Sequence, residues 1–334
     1  MKAIVYEGFG SPDILKCQDL EKPTPAENEV LIRVRAASIN PLDWKVMKGG
    51  PFPVRVLLGL GKPKIRRPGV DVAGEVEAIG RNVTQLKPGD EVFGTCLGAF
   101  AEYATSTSVT GIKSALVIKP ENVTFEQAAS APVAALTALQ GLRDKGRIQA
   151  GQKVLINGAA GGVGTFAVQM AKLFGAHVTG VCSTGNVDLV RSIGADRVID
   201  YTQTDFTKGV EHYDLVLDCI GNHSLSACRQ VLNPKGILVM VGAPDDGQAM
   251  GLIARMIGAL VWSRFGTKKM IFFIARMNKE DLTTVGQFIA AGKVAPVIDK
   301  RYSLSEASEA FRYMEKGHAR GKVLITLEPE NETE

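Results

Sequence analysis

The chain has 334 residues, of which 45% are hydrophobic and 22% are charged. This composition is ordinary for a globular protein and excludes a disordered chain, a collagen-like fibre and a disulfide scaffold. Its 39 Lys and Arg residues against 35 Asp and Glu residues leave a net charge of +4, which is not the clustered basic surface that nucleic-acid binding needs. The length predicts two domains.

Cysteine usage and hydropathy predict the compartment. The five cysteines are odd in number and widely spaced, which favours free thiols in a reducing, cytoplasmic compartment. The first residues lack the basic and apolar regions of a signal peptide. The most apolar run, residues 250–262, carries Arg255 and is shorter than the roughly 20 residues of a spanning helix. We therefore expect no stable membrane insertion.

Over the first 125 residues, short segments rich in Val, Ile and aromatic residues alternate with Gly and Pro turns. This pattern is typical of a small β-barrel. Strands are predicted at residues 2–6, 29–37, 71–79, 91–93 and 100–104. An Ala-rich helix is predicted over 124–144, with a capping box formed by Thr124 and Gln127 at its start.

Beyond residue 150, strands alternate with helices, which requires parallel strand pairing with right-handed crossovers and therefore a doubly wound α/β domain. The predicted strands are 153–157, 177–181, 197–200, 213–219, 236–241 and 270–274. The predicted helices are 163–174, 186–193, 223–232 and 279–291. A helix over 305–316 and a strand over 322–327 are expected to return to the first domain.

The predicted boundaries give the barrel domain residues 1–125 and 295–328, and the α/β domain residues 126–294. The acidic residues 329–334 are predicted to be a frayed tail.

A glycine run lies between the first strand and the first helix of the α/β domain. Gly161, Gly162 and Gly164 supply the turn, and Ala159 stands where the common G-x-G-x-x-G pattern has its first glycine. In this strand–turn–helix context, the helix N-terminus can bind the pyrophosphate of a dinucleotide. The alternative is a glycine-rich turn without a ligand.

The residues after the second strand of this domain bear on the choice of cofactor. NAD sites place a carboxylate there for the ribose 2′-OH, but none occurs before Asp188, which lies in the next helix. Ser183, Thr184 and Asn186 instead offer groups that suit the 2′-phosphate of NADPH, with Arg191 as a possible compensating cation. We expect NADPH, with NADH as the alternative.

Several segments resemble one family, the quinone oxidoreductase or zeta-crystallin branch of the medium-chain dehydrogenase/reductases. They include the glycine segment and the motifs MKAIVYEGFGSPDIL, AASINPLDWKVMKG, PGVDVAGEVEAIG, LKPGDEVFG and HARGKVLI. The resemblance covers nearly the whole chain and implies a GroES-like catalytic barrel, a Rossmann domain and a C-terminal return to the barrel. The segment NPLDWK is most similar to the enone oxidoreductases and alkenal reductases.

The resemblance also implies contacts with the cofactor. Thr137 is expected at the nicotinamide end, Tyr201 near the adenosine, Gly242 near the carboxamide, and Lys322 in a turn near the phosphates. The full set of predicted cofactor-binding residues is Thr137, Ala160, Gly161, Gly162, Val163, Ser183, Thr184, Asn186, Tyr201, Gly242 and Lys322.

No zinc site is expected. The zinc alcohol dehydrogenases of the superfamily use Cys and His ligands, and the corresponding positions here hold Asn40 and Val70. The histidines are scattered along the chain, at His177, His212, His223 and His318. A tetrahedral zinc site cannot be assembled from these motifs.

Hydride addition to a quinone, or to a C=C bond conjugated with a carbonyl, needs a group that stabilises the developing oxygen anion and a source of a proton. Asn40 can donate from its amide to the cofactor ribose or to the substrate oxygen, and its alternative role is that of a turn amide before Pro41. Asp43 can orient its neighbours or cap the turn. The Lys45 ammonium can stabilise an enolate and relay a proton. Tyr103 is expected to face the cleft or to close the barrel.

The sequence thus predicts an NADPH-dependent, zinc-independent reductase of small quinones or enones. The alternatives are an alcohol dehydrogenase of the same superfamily and an NADPH-binding sensor or structural protein with little turnover. The apolar strand at 270–274 predicts a homodimer, because such a sheet edge can pair with its copy across a two-fold axis.

Overall fold

The computed structural model describes residues 1–49, 63, 66–106, 114–242, 257–259, 261–262, 264 and 266–327. The chain forms two compact units. The first unit comprises Met1–Ala134, Met277–Gly292 and Ile298–Glu334, and the second comprises Ala135–Arg276 and Lys293–Val297. The acidic tail predicted at 329–334 lies outside the described residues.

The strands in chain order are β1 (Lys2–Val5), β2 (Lys16–Asp19), β3 (Val30–Ile39), β4 (Asp71–Ile79), β5 (Glu91–Thr95), β6 (Tyr103–Ser106), β7 (Leu116–Ile118), β8 (Lys153–Asn157), β9 (His177–Cys182), β10 (Arg197–Asp200), β11 (Tyr213–Asp218), β12 (Leu232–Met240), β13 (Lys269–Phe272), β14 (Ile298–Ser303) and β15 (Lys322–Thr326). The α-helices are α1 (Pro41–Lys48), α2 (Phe125–Ala129), α3 (Pro132–Gln140), α4 (Gly162–Leu173), α5 (Val187–Ser192), α6 (Leu225–Gln230), α7 (Lys279–Ala290) and α8 (Ala307–Glu315). A π-helical turn covers Gly141–Lys145, and 3₁₀ turns cover Pro12–Ile14, Thr184–Asn186, Phe206–Lys208 and Leu304–Glu306.

The first unit is built on a mostly antiparallel sheet. Its strands follow the order β14-β15-β3-β4-β5-β7, with β6 paired to β3, and β14 runs parallel to β15. The long strand β3 also pairs with β15, so the C-terminal part of the chain is bound into the barrel. Phe100 and Phe311 pack edge to face in its core, with ring centroids 5.8 Å apart. This arrangement confirms the predicted GroES-like architecture.

The second unit is built on a parallel sheet. Among the described residues its strands follow the order β10-β9-β8-β11-β12-β13, and each neighbouring pair is parallel. The central strand β8 is apolar and buried on both faces, as strands covered by helices must be. Since all strands run the same way, their carboxyl ends meet at one edge of the sheet, where Rossmann folds bind ligands. The predicted doubly wound fold is confirmed.

Helix α7 belongs to the first unit, whereas the predicted boundaries place it in the α/β domain. Asn122 Nδ2 donates a hydrogen bond to the Ala290 carbonyl oxygen at 2.8 Å. A Cβ atom at Gly286 would lie 3.1 Å from the ring of Phe93, which shows how closely the helix packs on the barrel. Helical periodicity identifies such a helix but not the sheet that it covers.

The predicted helix at 124–144 is divided into α2, α3 and the π-helical turn. Pro132 starts α3, which agrees with the preference of proline for the first turn of a helix. The capping box at Thr124 is confirmed, because its hydroxyl accepts from Gln127 N and the Gln127 side chain accepts from Thr124 N. None of the helices in the described ranges is long and apolar enough to cross a membrane.

Candidate active site

Four polar side chains meet inside the first unit, at the point where β3 ends and β4 and β15 begin. The antiparallel register places Ser38 opposite Asp71 and Ile39 opposite Val323, so that Lys322 stands beside Asn40. The four side chains of Ser38, Asn40, Asp71 and Lys322 are at most 3% exposed. Buried polar groups of this kind need hydrogen-bond partners, and buried charges need counter-charges.

These side chains satisfy one another. Asn40 Nδ2 donates to Asp71 Oδ2 at 2.8 Å, and Lys322 Nζ donates to Asn40 Oδ1 at 2.7 Å. The Lys322 ammonium also lies 3.3 Å from Asp71 Oδ2. Asp71 accepts two further bonds, from Ser38 Oγ at 2.8 Å and from Val133 N at 3.0 Å. We call Ser38, Asn40, Asp71 and Lys322 the buried cluster.

Asp43 fixes the start of α1, which follows directly from the buried cluster. Its Oδ2 accepts from Asn40 N at 2.8 Å and its Oδ1 accepts from Gly69 N at 3.2 Å. Burial raises the pKa of Asp43 to about 7, although the hydrogen bond from Asn40 N opposes the shift. Asp43 therefore caps the first turn of α1, the helix that carries Lys45, and its hydrogen bonds hold the Asn40 and Gly69 backbones.

The raised pKa makes a pH dependence of stability testable. Because Asp43 binds its proton more tightly in the folded state than at its usual pKa of 3.8, it lowers the free energy of unfolding as pH rises from about 4 to about 7. Asp43→Asn should remove this contribution, so its stability relative to wild type should increase from pH 5 to pH 8. Urea unfolding at several pH values measures the free energy of unfolding of both proteins. If this free energy changed equally with pH in the two proteins, the raised pKa of Asp43 would be contradicted.

Lys45 lies on α1, two residues beyond Asp43, and is half-buried. Its Nζ is 5.7 Å from the centroid of the Trp44 ring, and it forms no hydrogen bond or ion pair with the residues that the structure describes. Lys48 on the same helix is instead paired with Glu315. Lys45 thus carries a positive charge that is not neutralised by a described side chain, as its predicted role requires.

The structure does not bring Tyr103 to these groups. Tyr103 stands opposite Arg33 in the first half of β3, whereas Asn40 follows the last residue of that strand. The Lys22 ammonium lies 4.1 Å from the centroid of the Tyr103 ring. Tyr103, which was predicted to face the cleft or to close the barrel, is therefore not part of the buried cluster.

In the second unit, the turn between β8 and α4 is shaped by two glycines. Gly158 has φ +84°, a left-handed conformation that favours glycine. A Cβ atom at Gly164 would lie 2.1 Å from the Gly158 carbonyl oxygen. The helix therefore starts in direct contact with the turn, and the N–H groups of Gly162 and Val163 are at its N-terminus, where no preceding turn of the helix accepts them.

The residues predicted to bind the adenosine end are brought together by the adjacent strands β9 and β10. Thr184 Oγ1 donates to Asp200 Oδ2 at 2.6 Å, and Asn186 Nδ2 donates to Ser183 Oγ at 3.1 Å. Tyr201 follows β10 directly and is 50% exposed. Asn186 Oδ1 is buried without a hydrogen-bond partner in the described part of the chain, so it can accept from a hydroxyl such as that of a ribose.

Asp200 is a carboxylate that the sequence interpretation missed. It pairs with Cys182 at the carboxyl ends of β10 and β9, and the hydrogen bond from Thr184 holds the pKa of Asp200 below its usual value. The Thr184 hydroxyl is therefore directed at a carboxylate. The signal that could have revealed it is an acidic residue at the end of β10, the strand next to β9. Because the carboxyl ends of parallel strands lie at one edge of a sheet, this residue comes close to the residues that follow β9.

Of the other predicted cofactor residues, Thr137 lies in α3 and Ala160 in the glycine turn of the second unit. Gly242 follows β12, and its N–H donates to the Asp218 carbonyl oxygen at 3.2 Å. Lys322 belongs to the buried cluster of the first unit, where its ammonium has Asn40 and Asp71 as partners. The family resemblance instead implies that Lys322 lies near the cofactor phosphates.

Comparison with known families assigns both halves of the chain. Residues 26–140 match the model described as an alcohol dehydrogenase GroES-like domain. Residues 193–325 match the model described as a zinc-binding dehydrogenase.

Zinc does not fit the buried cluster. Asn40 presents its amide oxygen to the Lys322 ammonium, a cation that would repel a metal ion at the same place. Val70 offers no ligand atom, and the described ranges contain no group of three His, Cys, Asp or Glu residues that could hold a metal. The donor set differs from the Cys and His ligands that zinc prefers.

Known relatives align with almost the entire chain. The 2-methylene-furan-3-one reductase of Solanum lycopersicum is 35% identical over 97% of this chain and 79% of its own length. The NADPH-dependent alkenal/one oxidoreductase of Arabidopsis thaliana is also 35% identical over the same shares. The solved structure of the quinone oxidoreductase from Coxiella burnetii superposes with a TM-score of 0.85 at 31% identity, covering 98% of this chain and 99% of that one. This chain belongs to the quinone oxidoreductase branch of the medium-chain dehydrogenase/reductase superfamily, as its motifs predicted.

Proposed function

We propose that this protein is an NADPH-dependent reductase that acts, without zinc, on the C=C bond of α,β-unsaturated carbonyls or on quinones. The observation that carries the proposal is the buried cluster, where an amide is held between an ammonium and a carboxylate at the position of a metal ligand in zinc-dependent relatives. The names of the relatives, which include alkenal/one and quinone reductases, support the same substrate classes.

The second unit supplies the groups that would hold NADPH. The N–H groups of Gly162 and Val163 suit its phosphates, and Asn186 Oδ1 suits a ribose hydroxyl. The close contact between Gly164 and Gly158 keeps side chains away from this turn. When bound, NADPH supplies the hydride.

The residues of the first unit then act on the acceptor. The Lys45 ammonium stabilises the negative charge that develops on the substrate oxygen as the β-carbon receives the hydride. The same ammonium can deliver the proton that completes the reduction at the α-carbon or, for a quinone, at oxygen. Asn40 adds an amide N–H donor, and Asp43 holds the helix that carries Lys45.

For cofactor choice, we expect NADPH to bind at least ~10-fold more tightly than NADH, about 1.4 kcal/mol. Asp200 opposes this preference, because its carboxylate repels a 2′-phosphate. Asp200→Asn, which can still accept from Thr184, should therefore strengthen NADPH binding and leave NADH binding nearly unchanged. Calorimetric titration of both proteins with both cofactors measures this. Equal affinities in the wild type would refute the preference for NADPH, and an unchanged NADPH affinity in the variant would refute the role of Asp200.

For assembly, we propose a homodimer formed through the sheet edge at β13. This strand ends the described sheet order, and Ile274 just beyond it is 81% exposed. Light scattering at micromolar concentration should give twice the mass of one chain. The Ile274→Lys substitution should shift the measured mass towards that of a monomer. A monomeric mass for the wild type would refute the proposal.

The proposal includes a cytoplasmic location. All five cysteines are free, which is typical of proteins in a reducing compartment.

A panel of enones, quinones and aldehydes tests the function, with NADPH oxidation followed by its absorbance. We expect turnover with enones or quinones and little with saturated aldehydes. Preferential turnover of aldehydes would favour an alcohol dehydrogenase. Tight NADPH binding with no turnover against any acceptor would favour a sensor or structural protein.

A further inference from the structure

We infer that Lys322 and Asp71 are positioning residues that hold the Asn40 amide in one orientation, with its second N–H directed to the substrate oxygen. This inference deepens the proposed function and rests on it. It assigns to the Lys322 ammonium a role in orienting Asn40, in place of contact with the cofactor phosphates.

The orientation follows from the donors and acceptors around the amide. An ammonium can only donate hydrogen bonds, and an ionised carboxylate can only accept them. Lys322 Nζ lies 2.7 Å from Asn40 Oδ1, and Asp71 Oδ2 lies 2.8 Å from Asn40 Nδ2. A flipped amide would place N–H groups against the ammonium and oxygen against the carboxylate, so both contacts would become repulsive.

Asp71, which accepts the hydrogen bond from the Asn40 amide nitrogen, is itself held in place by other donors. Asp71 is completely buried, and it also accepts from Ser38 Oγ at 2.8 Å and from Val133 N at 3.0 Å. Three strands and the start of α3 therefore converge on one carboxylate. Asp71 cannot turn away from Asn40 without leaving these donors unpaired.

The amide has one hydrogen-bonding group left over. Asn40 Nδ2 carries two N–H groups, and Asp71 is its acceptor within the described residues. The second N–H belongs to a side chain that is 2% exposed, and an unpaired buried donor is costly. A substrate oxygen would satisfy it, and the fixed orientation would keep it directed to the oxygen before the substrate arrives.

The partners of the Lys322 ammonium favour this role over phosphate binding. Lys322 is 3% exposed, and its ammonium is shared between Asn40 and Asp71. Two of the three N–H groups of this ammonium have described partners, and the Asp71 carboxylate balances its charge, so these contacts are those of a residue that holds Asn40.

A double-mutant cycle tests the inference. We expect Lys322→Met and Asn40→Ala each to lower kcat for an enone by about tenfold or more, with the Kd for NADPH within about twofold of wild type. The double variant should be no slower than the slower single variant, because Lys322 acts through Asn40. Multiplied losses would show an independent role and overturn the inference, as would a weakened NADPH affinity with unchanged kcat.

A second measurement uses the wild-type protein and does not depend on turnover or on the folding of a variant. The side-chain amide protons of Asn40 can be assigned in an NMR spectrum by their loss in Asn40→Asp. Their nuclear Overhauser cross-peaks should be stronger to the β-protons of Asp71 than to the ε-protons of Lys322. The reverse pattern, or two sets of amide resonances, would overturn the fixed orientation. If no enone or quinone is reduced at all, the proposed function fails, and this measurement still decides the orientation.

Discussion

Lys45→Ala is expected to lower kcat for the reduction of an enone by about 100-fold while the Kd for NADPH stays within about twofold of wild type. The ammonium interacts with a negative charge that exists mainly in the transition state, so its loss affects turnover more than cofactor binding. The loss should be smaller with a quinone, because its reduced anion is stabilised within the ring. Lys45→Arg should recover only part of the rate, since a planar guanidinium does not replace a compact ammonium.

Lys48→Ala is the matched control for this prediction. Lys48 lies on the same helix as Lys45, and its Nζ is 4.9 Å from the centroid of the Trp44 ring. Its charge, however, is paired with Glu315. It should retain the wild-type kcat. If Lys45→Ala also keeps wild-type turnover on the best enone, Lys45 is a solvated surface lysine without a catalytic role.

Gly164→Ala is expected to lower the free energy of unfolding by about 3 kcal/mol or more, and to weaken NADPH binding at least ~10-fold. The added Cβ would lie 2.1 Å from the Gly158 carbonyl oxygen and 2.8 Å from backbone atoms of Ala159. Because these are backbone atoms, the helix and the turn must separate, and the N–H groups at the start of the helix move with them. Urea unfolding and calorimetric titration measure the two effects.

Gly209→Ala provides the control in the same unit. Its nearest neighbour would be the Phe206 carbonyl oxygen at 3.5 Å, and its backbone is in an ordinary extended conformation. Stability and NADPH affinity should both stay close to wild type. A Gly164→Ala protein with wild-type stability and affinity would show that the turn adapts, contrary to our account.

The strands of the second unit could be predicted closely because their signal is local. The strands Lys153–Asn157 and Arg197–Asp200 have the predicted bounds, since apolar β-branched runs between glycines and polar turns identify buried parallel strands. Helix α1 was missed although Pro41 starts it, Asp43 lies in its first turn and Gly49 ends it with φ +82°. At eight residues it is too short for a periodic pattern to emerge.

The candidate site could be predicted only in part. Asn40, Asp43 and Lys45 lie in one short segment, so a motif can suggest them together. Asp71 and Lys322 reach Asn40 through the antiparallel pairing of distant strands, and a single sequence does not give the register of such pairs. This is why the partners of Lys322 emerge only from the folded barrel.

Isotope transfer tests the central claim most directly. The enzyme would be incubated with a conjugated enone and NADPH that carries deuterium at C4, in each of its two stereoisomers. We predict that deuterium from one stereoisomer appears at the β-carbon of a saturated ketone, with the proton at the α-carbon coming from water. Deuterium at the carbonyl carbon of an allylic alcohol, or no transfer from either stereoisomer, would contradict the account.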